Sequence, residues 1–435
     1  MSLDLPIKPR PRRVAIIGGG ISGLAAAHLL APRHAVTLFE AAPRLGGHAR
    51  TVMAGQNGDQ PVDTGFIVFN YANYPHLTKL FRDLDVPVAK SDMSFGASID
   101  GGRIEYGLKD LTALTAQKRN LLRPGFARMV RDILRFNAEA ETLAADDSAT
   151  IGELMDAMRL GAWFQDYYLT PLSGAIWSTP PEQIRGFPAR ALVQFFRNHA
   201  LLSTSGQHQW WTVDGGSVEY VRRLERSLRG RGVALRTGTP VHSVQRDGAQ
   251  VVIQSAAGRH DDFDEVIFAC HADQALRLLD RPSPRERAVL SAQRFQDNEM
   301  VLHRDTAQMP KRRAVWSSWV YTADTRRPQT AIGVTYWMNR LQNIPERDPL
   351  FVTLNPSTPV REELIYDQTT FRHPVFDAPA LAAQRALREM QGENNTWFAG
   401  AWTRHGFHED GIASAVRIAR ALEREQAGAL EREHA

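Results

Sequence analysis

Residues 12–30 read RRVAIIGGGISGLAAAHLL, and this one segment restricts the fold more than any other. Val14 to Ile17 form an apolar, β-branched run without a polar residue, as in a strand buried in a parallel sheet. Gly18, Gly20 and Gly23 follow as G-x-G-x-x-G, and Leu24 to Leu30 supply helix formers. Gly18 allows the tight turn from strand into helix. Gly20 leaves room for a pyrophosphate to approach the backbone, and Gly23 lets helix and strand pack closely. The helix N-terminus, at Ile21 and Ser22, offers free N–H groups to the phosphates. A second apolar strand, Ala35 to Phe39, ends in Glu40, where a ribose hydroxyl needs an acceptor. A carboxylate there repels a 2′-phosphate, which favours FAD or NAD over NADP.

The next segment, AAPRLGGHARTV, resembles the flavin amine oxidase and phytoene desaturase superfamily. In that superfamily the strand-end Glu is followed by an Arg, a Gly-Gly pair, a basic residue and a Thr. Here these are Arg44, Gly46, Gly47, His48 and Thr51. The resemblance implies FAD as cofactor, with Arg44 at the pyrophosphate. His48 stands where the family has Arg, which puts that phosphate contact in question.

VDTGFIVFN (62–70) is implied to run beside the flavin ring. Asp63 would orient the turn, and Gly65 and Phe66 would face the ring. Near the C-terminus, TWFAGAWTRHGFHEDGIASAVRIARAL (396–422) matches the strand, loop and helix that these flavoproteins aim at the flavin. Gly400, Asp410, Gly411 and Ile412 occupy the matching positions, and Ala401 replaces the family's acid after the glycine. RGVALRTGTPVHSVQRDGAQVVIQSAAG (231–258) alternates as a β-meander, and the resemblance places the backbone of Val241 against the adenine.

A narrower set of segments, among them VDGGSVEYV (213–221), TYWMNRLQ (335–342) and GFHEDGI (406–412), is similar to a bacterial subgroup. That subgroup is described only as predicted NAD/FAD-binding proteins. Its genes often lie beside a cyclopropane-fatty-acyl-phospholipid synthase.

The expected fold is α/β: a Rossmann-like FAD-binding domain with an interleaved α+β substrate domain. The FAD-binding parts are discontinuous, at 1–75, 208–285 and 390–435. The substrate domain takes a helix-rich insertion, 76–207, and a strand-rich one, 286–389, giving a helical cap over a mixed sheet.

The insertions are rich in aromatics. Trp163, Phe164, Tyr167, Tyr168 and Trp177 cluster in the cap, Trp210 and Trp211 precede the return strand, and Trp316, Trp319, Tyr336 and Trp337 follow. They form either an apolar tunnel for an acyl or isoprenoid chain or an ordinary core. Many amine oxidases of this fold place a Lys near flavin N5. TYWMNRLQN holds none, and the second insertion's single Lys is Lys311.

RHGFHED is the densest polar run. His408 and Glu409 are the candidate acid/base groups, against the alternative of a capping and ribityl-binding loop. Four ligands crowded on this loop beside a flavin make a poor metal site, and the chain's one cysteine, Cys270, removes a cysteine-based zinc site, so no metal is expected.

The remaining partners follow from charge. A net +4 with scattered arginines argues against nucleic acid. The run KRNLLRPGFARMVRDILRF (118–136) interleaves basic and apolar residues. It is read either as a solvated cap helix or as a surface for peripheral contact with a membrane. With neither a signal peptide nor an apolar run of about 18 residues, the expected location is the cytoplasm, with contact at the inner membrane face.

The leading functional expectation is an FAD-dependent oxidoreductase of an unsaturated or modified fatty acyl chain, as a desaturase, saturase or isomerase. The alternatives are an amine or amino-acid oxidase and a non-catalytic, partner-binding flavoprotein. The substrate is a small, lipid-like molecule in the leading reading, and the electron acceptor stays open.

Overall fold

The glycine-rich segment sits at the centre of a five-stranded parallel sheet. The computed structural model describes residues 10–144, 149–177, 184–198, 201–202, 208–248, 250–325 and 333–433. Strand Arg13–Ile17 pairs on one side with Ala35–Phe39 and on the other with Glu265–Phe268. Ala234–Arg236 and Thr396–Phe398 complete the two edges. Period-two alternation sends Val14 and Ile16 to one face and Ala15 and Ile17 to the other. On the first face they meet helix Ile21–Leu30 and helix His408–Glu433. On the second they meet the meander strands and helices Ala272–Leu278, Pro284–Ser291 and Ala378–Glu389. Both faces are covered, which is why the central strand carries no polar residue from Val14 to Ile17.

A seven-stranded sheet stands beside the parallel one. Its order is Ile365–Pro374, Phe295–His303, Phe351–Leu354, Gly333–Trp337, Trp319–Ala323, Phe95–Ile99 and Ile104–Gly107. All neighbours are antiparallel except Trp319–Ala323 with Phe95–Ile99. The last two strands come from the first insertion, which the sequence marks as helical. The hairpin turn at Asp100, Gly101 and Gly102, all at positive φ, is what lets this short pair form.

Helices Pro124–Leu143, Ile151–Ala157, Thr170–Trp177 and Ala189–Asn198 roof the hairpin end of this sheet through one apolar cluster. Pro124 opens its helix at the first position, where a missing N–H costs nothing. Among the described residues no helix is long and apolar enough to cross a membrane.

Candidate active site

A cavity of about 1220 Å³ runs from the C-terminal ends of the parallel strands to the underside of the cap. Small-molecule pockets usually measure about 300–1,000 Å³. This one has room for a dinucleotide and a second molecule.

Its first end is built by the glycine turn. Gly18, Gly20, Ile21, Ser22, Glu40 and Val241 all line it. Gly18 has φ +114°, and a Cβ there would stand 2.5 Å from the Ala269 carbonyl oxygen. A Cβ on Gly23 would stand 1.9 Å from the Gly18 carbonyl oxygen, so Gly23 serves packing and stays off the cavity wall. Gly20 differs: the nearest atom to a Cβ there is Gly47 Cα, 4.0 Å away. Its missing side chain leaves open cavity and not a tight contact. Gly20 also caps helix Ile21–Leu30 without a side-chain acceptor, leaving the first-turn N–H groups for an anion. This cradle fits a dinucleotide pyrophosphate. Glu40 accepts N–H from Gly19 at 2.6 Å and from Ala42 at 2.8 Å, so it braces the turn while facing the cavity. Each oxygen keeps acceptor capacity for a ribose hydroxyl.

The Gly-Gly loop follows. Gly46 and Gly47 line the cavity with φ +111° and +56°. Arg44 is engaged within the loop. Its guanidinium donates to the carbonyls of Gly47 (3.0 Å), Ala49 (3.3 Å) and Leu45 (3.4 Å), and it does not line the cavity. Arg44 therefore holds the loop's shape. His48 does line the cavity, stacked on Phe371 and beside His271 and His373. Burial lowers His48 below the usual imidazole range and drives His271 and His373 down to about 3. The three rings are neutral near pH 7, so the family's cation at position 48 is replaced by an uncharged ring.

Gly65 and Phe66 line the middle of the cavity. A Cβ on Gly65 would stand 2.0 Å from the His48 carbonyl oxygen, which ties the two segments together. Phe66 stacks on His408 at 3.9 Å, and His408 Nε2 lies 3.0 Å from the Tyr220 hydroxyl. Burial drives His408 down to about 3. It lines the cavity as a ring fixed by stacking and a hydrogen bond, and burial keeps it neutral near pH 7.

Glu409 takes the capping alternative. Its two oxygens accept the N–H groups of His76 (3.0 Å) and Leu77 (2.9 Å), capping helix Pro75–Asp83, and it does not line the cavity. Asp410 accepts N–H from His405 and Phe407 and so shapes the turn before its own helix. Gly411 lets that helix approach Ser22 and Ile21, where a Cβ would stand 2.8 Å and 3.0 Å away. Ile412 is buried beneath helix Ile21–Leu30. None of these three lines the cavity; Gly400, Ala401, Trp402, His405, Phe407 and His408 do.

The far end of the cavity is mostly apolar, with Asn137, His208 and Gln209 as polar exceptions. Phe95, Ile133, Tyr168, Leu172, Phe195, Trp210, Trp319, Tyr336, Val352, Leu354 and Phe407 line it. Trp163 and Tyr167 pack in the cap, and Trp316 and Trp337 gather around Arg313. The Trp177 side chain lies outside the described residues.

The cavity's carboxylates among the described residues are Glu40 and Asp92. Asp92 is engaged by Ser94, Ser318 and Arg340. The lysine that lines the cavity is Lys109, at the far mouth. Sequence reasoning missed the wall formed by Phe371, Arg372 and His373 and the Tyr220 partner of His408. FRHP carries a His and an aromatic, but nothing in its spacing shows which sheet it joins.

Residues 21–298, more than half of the chain, match the model of the flavin-containing amine oxidoreductases. The chain belongs to that family. Its cofactor is FAD, consistent with the cradle at Gly20. Over 305 residues it is 29% identical to coproporphyrinogen III oxidase of Mycobacterium tuberculosis, an alignment covering 64% of this chain and 63% of that protein. The chain thus spans about three fifths of the length of the curated relatives it matches. Among solved structures, an Exiguobacterium protein assigned as a protoporphyrinogen oxidase superposes with a TM-score of 0.69 at 18% identity, over 95% of this chain and 99% of that one. The CLA-producing fatty acid isomerase of P. acnes superposes with a TM-score of 0.67 at 14% identity, over 94% and 99%. At these identities the superpositions establish the shared fold.

Proposed function

We propose that this family member moves a hydride to or from an apolar, chain-shaped substrate, with an unsaturated or modified fatty acyl chain as the substrate class. The observation that carries the reading is the far end of the cavity. Aliphatic and aromatic side chains make up most of it, with Asn137, His208 and Gln209 among them, and its carboxylate among the described residues, Asp92, is already engaged by Arg340 and two serines. An amine substrate needs a counter-ion for its ammonium group, and an amino acid needs a cation for its carboxylate. Of the cavity-lining cations, Arg277 and Arg372 are held by Asp273, and Lys109, at the mouth, lies beside Asp110. An acyl chain needs neither partner, only a dry wall.

FAD when bound supplies the hydride chemistry. The chain's own residues bind and orient it and exclude water. The glycine cradle and Glu40 would hold the dinucleotide half. Gly65, Phe66 and His408 would flank the ring, and the cap would seal the substrate end. His48, His271 and His373 add neutral rings to the wall beside Arg372, whose charge is met by Asp273 and Asp297.

Lipid profiles test the reading. Total lipid from a strain lacking the gene should differ from wild type in one acyl species, by two hydrogens or by double-bond position, and the restored gene should reverse the difference. Identical profiles under all growth conditions would overturn it.

A further inference from the structure

We infer that the surface around residues 108–123 docks this protein on an anionic phospholipid bilayer, with the apolar end of the cavity opening toward the membrane. The surface deepens the acyl-chain reading and rests on it for its purpose, since a lipid-side mouth serves a lipid substrate.

The cavity reaches solvent at Leu108 and Lys109, which line it and are exposed. The chain then runs along Ile104–Gly107, the outer strand of the seven-stranded sheet. Helix Leu111–Leu114 contacts that strand, and Asn120 and Arg119 bond to its carbonyls and to the adjoining turn. This strip leaves large apolar side chains in water: Leu122 is 86% exposed, Leu111 78%, Leu121 58% and Leu108 37%. Clustered apolar exposure of this kind marks a contact surface.

The charge around it is predominantly basic: Asp110, the cap of helix Leu111–Leu114, pairs with Lys109 and is the one acid in the 108–123 strip. Lys118 and Lys311 are exposed, and Arg119 and Arg123 spend their guanidinium groups on backbone carbonyls. Among the described residues no carboxylate lies within ion-pairing distance of Lys118, Arg119, Arg123 or Lys311. The contrast is with helix Pro124–Leu143, where Arg128, Arg131 and Arg135 pair with Asp132 and Glu139. Cations without a carboxylate partner in the same strip as the exposed leucines complement an anionic headgroup layer, with the leucines entering the acyl boundary.

The test uses the FAD-loaded full chain and no turnover, so a failed substrate reading leaves it intact. Sedimentation with vesicles of equimolar phosphatidylcholine and phosphatidylglycerol should carry the protein down. Vesicles of phosphatidylcholine alone should bind at least about tenfold more weakly, and salt near about 1 M should release it. Leu122→Glu should cut partitioning at least about tenfold with unchanged thermal stability. Lys118→Gln should weaken it and reduce its salt dependence. Leu143→Glu is the control, since it lies roughly 28 Å further along the helix, and should bind as wild type. Wild type that ignores both vesicles, or Leu122→Glu that binds equally well, would overturn the inference. So would a wild-type dimer in sedimentation velocity that Leu122→Glu dissociates, because a second copy would then cover this surface.

Discussion

Asp63 accepts the backbone N–H of Ser217 with both of its carboxylate oxygens, at 2.9 Å each, across 154 positions of sequence. The same carboxylate accepts the hydroxyls of Ser217 and Thr51 and the amide of Gln342. One fully buried side chain therefore ties the strand before Gly65 to the return segment and to the second insertion. Asp63→Asn puts an NH2 group against these donors. Leaving buried donors unsatisfied costs about 1–3 kcal/mol, so its urea midpoint should fall accordingly and its FAD should dissociate more readily. An unchanged midpoint would show that the tie is dispensable.

Gly20 and Gly23 should respond in opposite ways. A side chain at Gly20 enters the open cradle, so Gly20→Val should fold normally and bind FAD about tenfold or more weakly, each tenfold being about 1.4 kcal/mol. A Cβ at Gly23 meets the Gly18 carbonyl oxygen. Gly23→Ala should therefore lose about 1–3 kcal/mol or more of stability through overpacking. FAD titration and thermal melts of the FAD-free proteins separate the two effects.

Glu409 caps helix Pro75–Asp83, and removing a helix cap costs about 0.5–2 kcal/mol. Glu409→Gln should lower stability within that range and leave the rate of flavin reduction unchanged. A large loss of reduction rate at full stability would restore Glu409 as a proton-transfer group.

Acid should destabilise the protein. His271, His373 and His408 are held down to about 3, and His303 and His405 to about 4, against 6.5 when unfolded. Each contributes stability that is present above pH 6.5 and lost as the pH falls from there toward its folded value. Asp63 and Asp410, pushed up to about 6, and Glu409, pushed up to about 7, oppose this. Their folded forms hold protons more tightly, so their contribution is lost as pH rises. Five histidines against three acids leave a net loss between about pH 6.5 and pH 4. Melts of the FAD-loaded protein across that window check it, and His373→Phe should flatten the slope.

The parallel sheet was legible in the sequence because its physics is local: an apolar strand, three glycines and a helix lie within 19 consecutive residues. Gly18, Gly20 and Glu40 reach the cavity by that local logic. The partners of Arg44, Glu409 and Asp410 were not legible, although capping by the 404–410 loop was one of the alternatives. A charged side chain can satisfy backbone groups or a ligand, and only the fold shows that Gly47 claims Arg44, His76 and Leu77 claim Glu409, and His405 and Phe407 claim Asp410. His373 and Tyr220 were hidden for a related reason: the strand pairing and helix placement that bring them to the cavity are long-range.

The most direct test is anaerobic. The purified FAD-loaded protein is titrated with total lipid extract from its source and, separately, with a panel of amines and amino acids, while the oxidised-flavin absorption band is followed. The account predicts bleaching by lipid, with mass spectrometry showing a loss of two hydrogens from one acyl species in proportion to the flavin reduced. For a saturase or isomerase, it predicts acyl conversion only after the flavin has been reduced chemically or without net bleaching. Bleaching by amines or amino acids, with the lipid extract unaltered in either flavin state, would contradict it.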